Sequence, residues 1–493
     1  MESQIDMTEL SDRLSPEELE RRRSKAIELN QSSQIDFNLC SDAPEVDAVV
    51  DEIYWMYNMR YQPKRKQPKT VKPNIKVLVL NLLRAKHLRE DWYVAYPRGN
   101  DGYPSKKSRY NLTGVSPKMV EIVDLLTEGH LLEGEVGKHY RPGESQKNRR
   151  SRVRATSDLQ AMFDRAGLTP DMIYQCPMRE TVILRQPKRV DGTKPLDDYE
   201  DTDETIRMRE NLTKINTLLN ESSIELRLTP AEWDLLNARL IASKDDHRRH
   251  EPLDTSRVGL HRAFNDSRWD HGGRFYGGWW QNVYSEYREK IFINGLPTVE
   301  VDYASLHPRI LYARIGLEAP EDCYAIQGVD PKHRTLVKQA FLRMINAYTN
   351  RAACLSLRRD LPALIEEYPE SIEDLCRGIA ETHEPIAEFF NTGEGIRLQY
   401  LDSKVAERIM LHFVEQGVPV LPVHDSFIVP CVKQDELLAV MSMEFKREFG
   451  FPGVAEVKGE LFSLESYYKR WVGRSDEIEG NAGYPPQAAY KMR

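Results

Sequence analysis

The chain has 493 residues, of which 40% are hydrophobic and 30% charged, and its formal net charge is −8. This length suits roughly two to four structural units. The negative net charge excludes a nucleic-acid-binding protein that is basic over its whole surface. The sequence has no apolar run long enough to cross a bilayer and no signal peptide, so we expect no membrane contact.

The six cysteines are spread along the sequence without a Cys-x-x-Cys pair or a Cys/His cluster. This distribution is typical of proteins in a reducing compartment, and it offers no ligand set for a zinc ion. We therefore expect a cytoplasmic protein without structural zinc.

The N-terminal part predicts an arm followed by a linker. Residues 1–58 form an acidic, polar stretch that ends in an apolar helix from residue 46. Residues 59–74 combine lysines and arginines with three prolines, which favours an extended basic linker over a continuous helix. Such a linker either contacts nucleic-acid phosphates or increases solubility, and the sequence does not decide between the two.

Residues 75–165 predict a compact domain. Helices are expected near 77–83 and 118–126, and strands near 131–133 and 153–156 flank a basic stretch. This order resembles the winged-helix proteins of replication initiators and transcription regulators, in which one helix enters the major groove and the wing contacts the backbone. The resemblance implies DNA contacts from Lys118, Lys147, Arg149, Arg150 and Arg152. The alternative is a scaffold of two helices with a flexible basic loop.

Residues 171–255 predict a mainly helical region. It begins with a strand-like run and an acidic loop, and residues 205–220 then have apolar side chains at helical spacing. Thr229 and Pro230 form a typical helix start. We expect this region to lead into the more specific part of the chain that follows.

Two apolar, β-like stretches each carry an aspartate. Residues 299–303 predict a strand with Asp302 near its end, and residues 418–429 predict a hairpin with Asp425 at its tip. Either aspartate alone is typical of a turn that closes a strand. Two aspartates on rigid supports suit the two hard cations of a phosphoryl-transfer site. We therefore predict a metal site formed by Asp302 and Asp425.

Residues 334–347 predict a helix with a basic face. Arg334, Lys338 and Asn346 are separated by multiples of four positions, so they share one side of the helix. Lysine and arginine neutralise triphosphate oxygens during phosphoryl transfer, which favours a nucleotide-binding role. The alternative is a solvated basic helix.

Residues 272–282 form a stretch rich in glycine and aromatic residues just before the Asp302 strand. Its Arg274, Gln281 and Asn282 can hydrogen-bond to phosphates and to the minor-groove edges of bases. The alternative is a turn whose aromatic side chains pack in the core.

Together these motifs resemble the polymerase core of the family A DNA polymerases, whose superfamily also contains the phage-type single-subunit RNA polymerases. Residues 302–309 match the first carboxylate motif and residues 423–426 the second, while Arg334 and Lys338 match the fingers-helix motif. Leu398 and Gln399 resemble a segment whose glutamine contacts the duplex. The motifs follow the order of the family over about residues 256–470.

The resemblance implies an α+β fold, a right-hand polymerase with an antiparallel palm sheet, helical fingers and a thumb-like region, preceded by the winged-helix domain. The thumb-like region would be residues 171–255, the palm and fingers residues 256–475, and the C-terminal tail residues 476–493. Asp302 and Asp425 would bind two Mg²⁺ ions, which Mn²⁺ can replace. Lys338 would be catalytic by donating a proton to pyrophosphate.

The resemblance also implies which side chains contact the substrates. The residues at the nucleotide would be Arg334, Lys338, His307, Asn346 and Tyr303. The residues at the primer and template would be Arg274, Gln281, Asn282, Gln399 and His424.

Some positions depart from the family pattern. The glutamate that blocks the ribose 2′-hydroxyl in the DNA enzymes is His307 here, and the aromatic residue of the fingers helix is Asn346, so the choice between dNTP and NTP stays open. We predict a template-directed nucleotidyltransferase, a compact DNA polymerase of a phage or mobile element that uses primer-template DNA, nucleoside triphosphates and other replication proteins. The alternatives are an RNA-synthesising primase or RNA polymerase of the same superfamily, and a DNA-binding protein with an inactive core.

Overall fold

The computed structural model describes residues 31–63, 67–137, 150–190, 192–243 and 250–458. These residues form a mixed α+β protein that divides into two compact units. The first unit contains the described residues up to Glu180 and those of Leu228–Ser256, and the second contains Thr181–Arg227 and those from Arg257 onward. No helix in this described part has the length and apolar character needed to cross a membrane.

The α-helices of the described residues are, in chain order, α1 (Pro44–Tyr61), α2 (Pro68–Leu88), α3 (Lys118–Glu128), α4 (Ser157–Arg165), α5 (Asp203–Glu221), α6 (Pro230–Ala242), α7 (Ser285–Arg288), α8 (Leu306–Arg314), α9 (Arg334–Asn346), α10 (Asn350–Asp360), α11 (Pro362–Glu366), α12 (Ile372–Thr382), α13 (Gly395–Val414) and α14 (Gln434–Phe449). The β-strands are β1 (Ser32–Gln34), β2 (Leu39–Cys40), β3 (Tyr93–Tyr96), β4 (Leu132–Glu135), β5 (Ser151–Ala155), β6 (Tyr174–Gln175), β7 (Val182–Leu184), β8 (Ile224–Leu226), β9 (His261–Phe264), β10 (Gly272–Tyr276), β11 (Ile291–Ile293), β12 (Leu296–Tyr303), β13 (Leu421–Val423), β14 (Ser426–Pro430) and β15 (Ala455–Val457).

The first unit combines a four-stranded sheet with packed helices. The strands follow the order β1-β3-β5-β4, in which β1 is parallel to β3 and the other pairs are antiparallel. Helices α1, α2 and α3 contribute the fully buried side chains of Ile53, Leu78 and Ile122 to one core. The apolar residues at helical spacing that the sequence predicts for α3 therefore pack in this core.

Strands β4 and β5 pair with each other in antiparallel register. They correspond to the strands predicted near 131–133 and 153–156 on either side of the basic stretch. Residues 138–149 of that stretch lie outside the described residues, and Lys147 and Arg149 are among them. The winged-helix assignment therefore stays a prediction.

The basic segment 59–74, predicted as an extended linker, is helical at both ends. Helix α1 continues to Tyr61, and α2 begins at Pro68. A proline in the first helical turn is tolerated because its missing N–H would have no partner there. Lys72 forms an ion pair with Asp51, and Lys76 Nζ lies 2.8 Å from Asp47 Oδ1. These lysines therefore join α2 to α1, and the linker prediction was wrong for most of its length.

Two of the six cysteines are bonded to each other, contrary to the expectation of scattered, reduced thiols. Cys40 lies on β2 and Cys176 follows β6, and these two strands pair in antiparallel register. The pairing brings their Cα atoms to 5.2 Å across 136 residues of sequence, and the sulfur atoms form a disulfide. Sequence spacing could not predict this contact because it arises only when distant strands meet.

The second unit contains a larger sheet with the strand order β13-β14-β12-β11-β8, and β15 also pairs with β12. Every pair in this sheet is antiparallel. A smaller sheet has the order β10-β9-β7. Helix α13 packs against β10, α5 and α14, while α9 packs against α10 and α12.

Strand β12 has one apolar and one polar face. Val299, Val301 and Tyr303 are buried, while Glu300 and Asp302 alternate with them and are partly exposed. Because successive side chains of a strand point to opposite faces, the two carboxylates share one side of the sheet. The larger sheet therefore carries Asp302 on its polar face.

The segment 171–255 is divided between the two units. Strand β7 pairs with β9 and β8 pairs with β11, so residues 181–227 belong to the second unit. Asp254 forms an ion pair with Arg84 of α2 in the first unit. Long-range pairing and ion pairs that the sequence does not reveal determine this division.

Candidate active site

Asp302 and Asp425 lie side by side at one end of the larger sheet. Asp302 on β12 is directly opposite Ser426 on β14, and Ser426 is the residue after Asp425. The backbone N–H of Tyr303 donates to the carbonyl oxygen of Asp425 at 3.4 Å. The two aspartates are thus neighbours, as predicted, although 123 positions separate them in the sequence.

The turn that carries Asp425 is tight. Val423 pairs with Ser426, so that only His424 and Asp425 connect β13 to β14. His424 adopts the left-handed conformation, with φ of +58°, which two-residue hairpins need and which costs a non-glycine residue about 1 kcal/mol. The side chain of His424 is exposed at this tip. Strand pairing on both sides of the turn holds Asp425 in position despite this cost.

The electrostatic environment of Asp302 is unusual for a carboxylate. Burial and the negative charge of Asp425 raise the pKa of Asp302 from 3.8 to about 6. Its Oδ1 atom is buried and has no hydrogen-bond partner among the described residues. Such an oxygen is costly to bury, and a hard cation shared with Asp425 would satisfy it. The residues present therefore fit a divalent metal ion.

A third carboxylate, Glu300, lies on the same face of β12 as Asp302. Arg288 donates to both of its oxygens, at 2.8 and 3.0 Å, and the hydroxyl of Ser426 donates to Oε1 at 2.6 Å. Burial raises the pKa of Glu300, but the hydrogen bonds and charge of Arg288 outweigh burial and lower it. Glu300 is thus ionised and already partnered.

Lys458, which follows β15, bridges the two carboxylates of this face. Its Nζ atom lies 2.9 Å from Glu300 Oε1 and 3.0 Å from Asp302 Oδ2. Sequence reasoning missed Glu300, Arg288 and Lys458. The spacing of Glu300 and Asp302, two positions apart in a strand, was the signal that could have revealed the first of them.

Arg334 and Lys338 lie on the exposed side of α9, as the helical spacing predicts. Arg334 forms a two-pronged ion pair with Asp322, with both distances at 3.0 Å. The Arg334 guanidinium lies 5.2 Å from the centre of the Tyr324 ring, and Lys338 Nζ lies 5.9 Å from it. Both cations therefore share one aromatic neighbour.

Tyr324 connects this basic face to the carboxylates. Its side chain is buried, and burial is the main cause that raises its pKa, with a further contribution from the charge of Asp425. The same group also interacts with the charge of Arg334. Tyr324 thus lies within electrostatic reach of both Arg334 and Asp425. No motif in the sequence singles out this tyrosine.

The side chains of two residues predicted at the nucleotide, Tyr303 and Asn346, hydrogen-bond to backbone carbonyls. The Tyr303 ring is buried beside Phe445 of α14, and its hydroxyl donates to the Met441 carbonyl at 2.6 Å. Tyr303 follows Asp302 in β12, so its side chain points to the opposite face of the sheet. The side-chain amide of Asn346 donates to the Leu342 carbonyl at 2.7 Å, at the end of α9.

Arg274 and His307 meet at a buried carboxylate, Asp402 of α13. Arg274 Nε lies 3.1 and 3.0 Å from the two oxygens of Asp402, and His307 Nε2 lies 3.2 Å from Oδ2. Arg274 Nη2 is also 3.2 Å from His307 Nε2. Burial lowers the pKa of Arg274, but the charges of Asp402 and Asp425 outweigh burial and raise it. This network therefore lies close to the carboxylate pair.

Gln281 is used by the backbone of its own unit. Its amide nitrogen donates to the carbonyls of Phe275 and Pro422 at 2.9 and 3.0 Å, and its oxygen accepts from the Gly277 N–H at 3.0 Å. Gln281 thus ties the loop after β10 to β13 and supports the hairpin that carries Asp425. Asn282 beside it and Gln399 on α13 are half-buried.

Three of the basic residues predicted to bind DNA, Lys118, Arg150 and Arg152, lie among the described residues of the first unit, and each has a protein partner. Lys118 Nζ lies 2.7 and 2.9 Å from the two oxygens of Glu121. Arg150 donates to Gln34 at 2.8 Å, and Arg152 donates to Ser32 at 3.0 Å. These contacts fix the arginines beside β1.

Comparisons with known proteins add little to this picture. No protein-family model matches the sequence, and no curated protein matches it. Among solved structures, the chain is weakly similar to the POL domain of Pol1 from M. smegmatis in complex with DNA primer-template and dNTP. The similarity covers 89% of this chain and 68% of that chain, with 10% sequence identity and a TM-score of 0.26. A TM-score this low does not establish a common fold.

Proposed function

We propose that the second unit is a template-directed nucleotidyltransferase, a compact DNA polymerase that adds nucleotides to the 3′ end of a primer. The observation that carries the proposal is the pair of aspartates, Asp302 and Asp425, held side by side on an antiparallel sheet, with one carboxylate oxygen buried and unpartnered. In this proposal the larger sheet is the palm of a right-hand polymerase, and helices α9 to α12 belong to the fingers.

Asp302 and Asp425 would hold two divalent cations, Mg²⁺ or Mn²⁺. When bound, these cations lower the pKa of the primer hydroxyl and neutralise the triphosphate. In the described ranges, no group of three or more His, Cys, Asp or Glu residues is arranged to hold a metal ion. Substrate oxygens and water would therefore complete the coordination of the two aspartates.

The basic face of α9 suits the triphosphate. Lys338 and Arg334 are exposed, and an ammonium and a guanidinium bind phosphate oxygens as a point charge and as a planar fork, respectively. Arg334 would exchange the Asp322 carboxylate for phosphate oxygens, which offer the same geometry. Lys338 would then donate a proton to the leaving pyrophosphate. Tyr303 has no role in this proposal, because its side chain lies in the core.

The network of Arg274, Asp402 and His307 suits the end of the primer and the sugar of the incoming nucleotide. Asp402 binds the side chains of Arg274 and His307 and holds them beside the carboxylate pair. Both side chains would therefore contact the substrates from fixed positions. Gln399, Asn282 and His424 are proposed to contact the primer and template. Asn346 would border the nucleotide from the end of α9.

The first unit is proposed to bind DNA as a winged-helix domain, with Lys118, Arg150 and Arg152 near the backbone of the duplex. Lys147 and Arg149, which lie outside the described residues, are proposed to contact the same duplex. Such contacts make binding depend on salt, since each neutralised phosphate releases counterions. Arg150→Ala with Arg152→Ala should weaken duplex binding and reduce the slope of log K against log salt by about 2. An unchanged slope would show that these two arginines do not contact the DNA backbone. We further propose a cytoplasmic location and an origin in a phage or another mobile element.

An RNA-synthesising enzyme is the second candidate. His307 favours it, because an imidazole stands where the family's DNA enzymes have the glutamate that excludes a ribose 2′-hydroxyl. Primer extension on a DNA template with Mg²⁺, with dNTPs and NTPs in separate reactions, decides between the two. Extension with dNTPs supports the DNA polymerase, and extension with NTPs alone or without primer supports the primase or RNA polymerase. No product in either reaction, with DNA still bound, would support an inactive core and contradict the proposal.

A further inference from the structure

Lys458 lies in a fixed place beside the carboxylate pair. Its backbone N–H donates to the carbonyl oxygen of Glu300 at 2.8 Å, which continues the pairing of β15 with β12 by one residue. The side chain therefore starts opposite Glu300 and reaches along the face of the sheet to Asp302. Its ammonium group contacts Asp302 Oδ2 at 3.0 Å, and the side chain is 41% exposed.

The charge of Lys458 is not needed to neutralise Glu300. Arg288 already binds both oxygens of Glu300 through charge-assisted hydrogen bonds, and Ser426 donates a further one. Asp302 is different, because Lys458 is its only ion-pair partner in the part of the chain that the structure describes. Lys458 therefore serves mainly as the counter-ion of Asp302.

The two oxygens of Asp302 have different surroundings. Oδ2 accepts from Lys458, whereas Oδ1 is buried and has no partner among the described residues. A divalent cation between Asp302 and Asp425 would bind Oδ1. The Lys458 ammonium group would then contact the other oxygen of the same carboxylate. Two like charges at this separation in a partly buried site repel each other appreciably.

We infer that Lys458 is a built-in counter-ion that competes with a divalent cation for Asp302, so that tight binding of the cation requires the ammonium group to leave Asp302. This inference rests on the proposed function for its assignment of Asp302 and Asp425 as metal ligands. Lys458 would keep the carboxylate pair compensated while no substrate is bound. The triphosphate, which adds oxygen ligands of its own, would then favour cation binding over the lysine contact.

The test is a direct measurement of Mn²⁺ binding to the full-length protein without nucleotide or DNA. Electron paramagnetic resonance of free Mn²⁺ gives the dissociation constant for the wild type, Lys458→Met and Lys458→Arg. Lys458→Met keeps the length of the side chain but removes its charge, and we expect it to bind Mn²⁺ about tenfold more tightly. Lys458→Arg keeps the charge and should bind Mn²⁺ as the wild type does.

Asp302→Asn locates the effect. This variant should lose the Mn²⁺ site, and adding Lys458→Met to it should not restore tight binding. Unchanged or weaker binding by Lys458→Met in the wild-type background would overturn the inference, and so would tighter binding that persists in the Asp302→Asn background. Absence of Mn²⁺ binding from both the wild type and Lys458→Met would also overturn it.

The outcome can be separated from that of the proposed function. If primer extension fails but Mn²⁺ binding responds to Lys458 and Asp302 as expected, the counter-ion role stands and the polymerase proposal falls. If primer extension depends on Asp302 but Lys458→Met has the same dissociation constant for Mn²⁺ as the wild type, the polymerase proposal stands and the counter-ion role falls.

Discussion

Arg274 Nε donates to both carboxylate oxygens of Asp402, at 3.1 and 3.0 Å, where Asp402 is buried and the Arg274 side chain is only 13% exposed. Each group therefore compensates the other in a part of the protein with little solvent. Removing one partner of a buried ion pair leaves the other charge unpaired, which is far more costly than the loss of a surface pair.

We predict that Asp402→Ala lowers the free energy of unfolding by about 3 kcal/mol or more, since the largely enclosed Arg274 guanidinium would lose its carboxylate partner. Urea unfolding followed by circular dichroism measures this change. Asp360→Ala, at an exposed position at the end of α10 where Arg359 donates to both carboxylate oxygens, is the matched control and should have little effect. Equal effects of the two substitutions would show that Asp402 has no special role in holding Arg274.

The pKa of Asp302 predicts a specific dependence of stability on pH. Its pKa is raised in the folded protein, from 3.8 to about 6, so the folded state favours the protonated carboxyl. Its stabilising contribution is complete below pH 3.8 and is lost as the pH rises through 6. Without a divalent cation, ionised Asp302 should therefore cost up to about 3 kcal/mol at pH 8.

Asp302→Asn removes this cost because its amide stays neutral. We expect the free energy of unfolding of the variant, relative to the wild type, to increase between pH 4 and pH 8 in the presence of a chelator. Chemical denaturation at a series of pH values measures the difference. A difference that does not vary with pH would mean that the pKa of Asp302 is not raised in the folded state.

The basic face of α9 predicts a selective loss of nucleotide use. Lys338→Ala and Arg334→Ala should each lower kcat/KM for the incoming nucleotide by roughly 10²-fold, the usual effect of losing one group that stabilises charge in a transition state. Lys332→Ala, which removes an exposed lysine paired with Asp330 just before the helix, is the control and should retain activity. A loss of equal size in all three variants would point to general surface charge rather than to a triphosphate site.

The disulfide makes a prediction about thiol chemistry and stability. Thiol titration of the denatured protein without reductant should find the four free cysteines, Cys323, Cys354, Cys376 and Cys431. Cys40→Ser with Cys176→Ser should lower the free energy of unfolding by about 2–5 kcal/mol, because the crosslink closes a long loop in the unfolded chain. Titration of six thiols would instead agree with the reduced state that the sequence predicts.

The sequence predicted the candidate site better than the arrangement around it. An apolar strand ending in Asp302 and a hairpin with Asp425 at its tip are local patterns, and both were correct. The exposed face of α9 also follows from local spacing. Asp402, Tyr324 and Lys458 come from distant parts of the chain and reach the site only through tertiary packing, so no local pattern selected them.

Local reasoning also failed where tertiary contacts overrode local preference. The prolines near residues 63–73 favoured an extended linker, but Pro68 occupies the first turn of α2, and ion pairs to α1 support this helix. Tyr303 follows a predicted catalytic residue in the sequence, yet the alternation of a strand directs its side chain to the core. Adjacency in sequence is therefore a poor guide to adjacency in a site built on strands.

Primer extension by Asp302→Asn and Asp425→Asn tests most directly whether these two aspartates form a catalytic metal centre. Asp435→Asn is the matched control, since Asp435 is exposed on α14 beyond the end of β14 that is remote from the hairpin tip. We predict that both site variants lose nucleotide incorporation in Mg²⁺ while they still bind primer-template DNA, and that the control keeps its activity. Incorporation at the wild-type rate by either site variant would contradict the assignment.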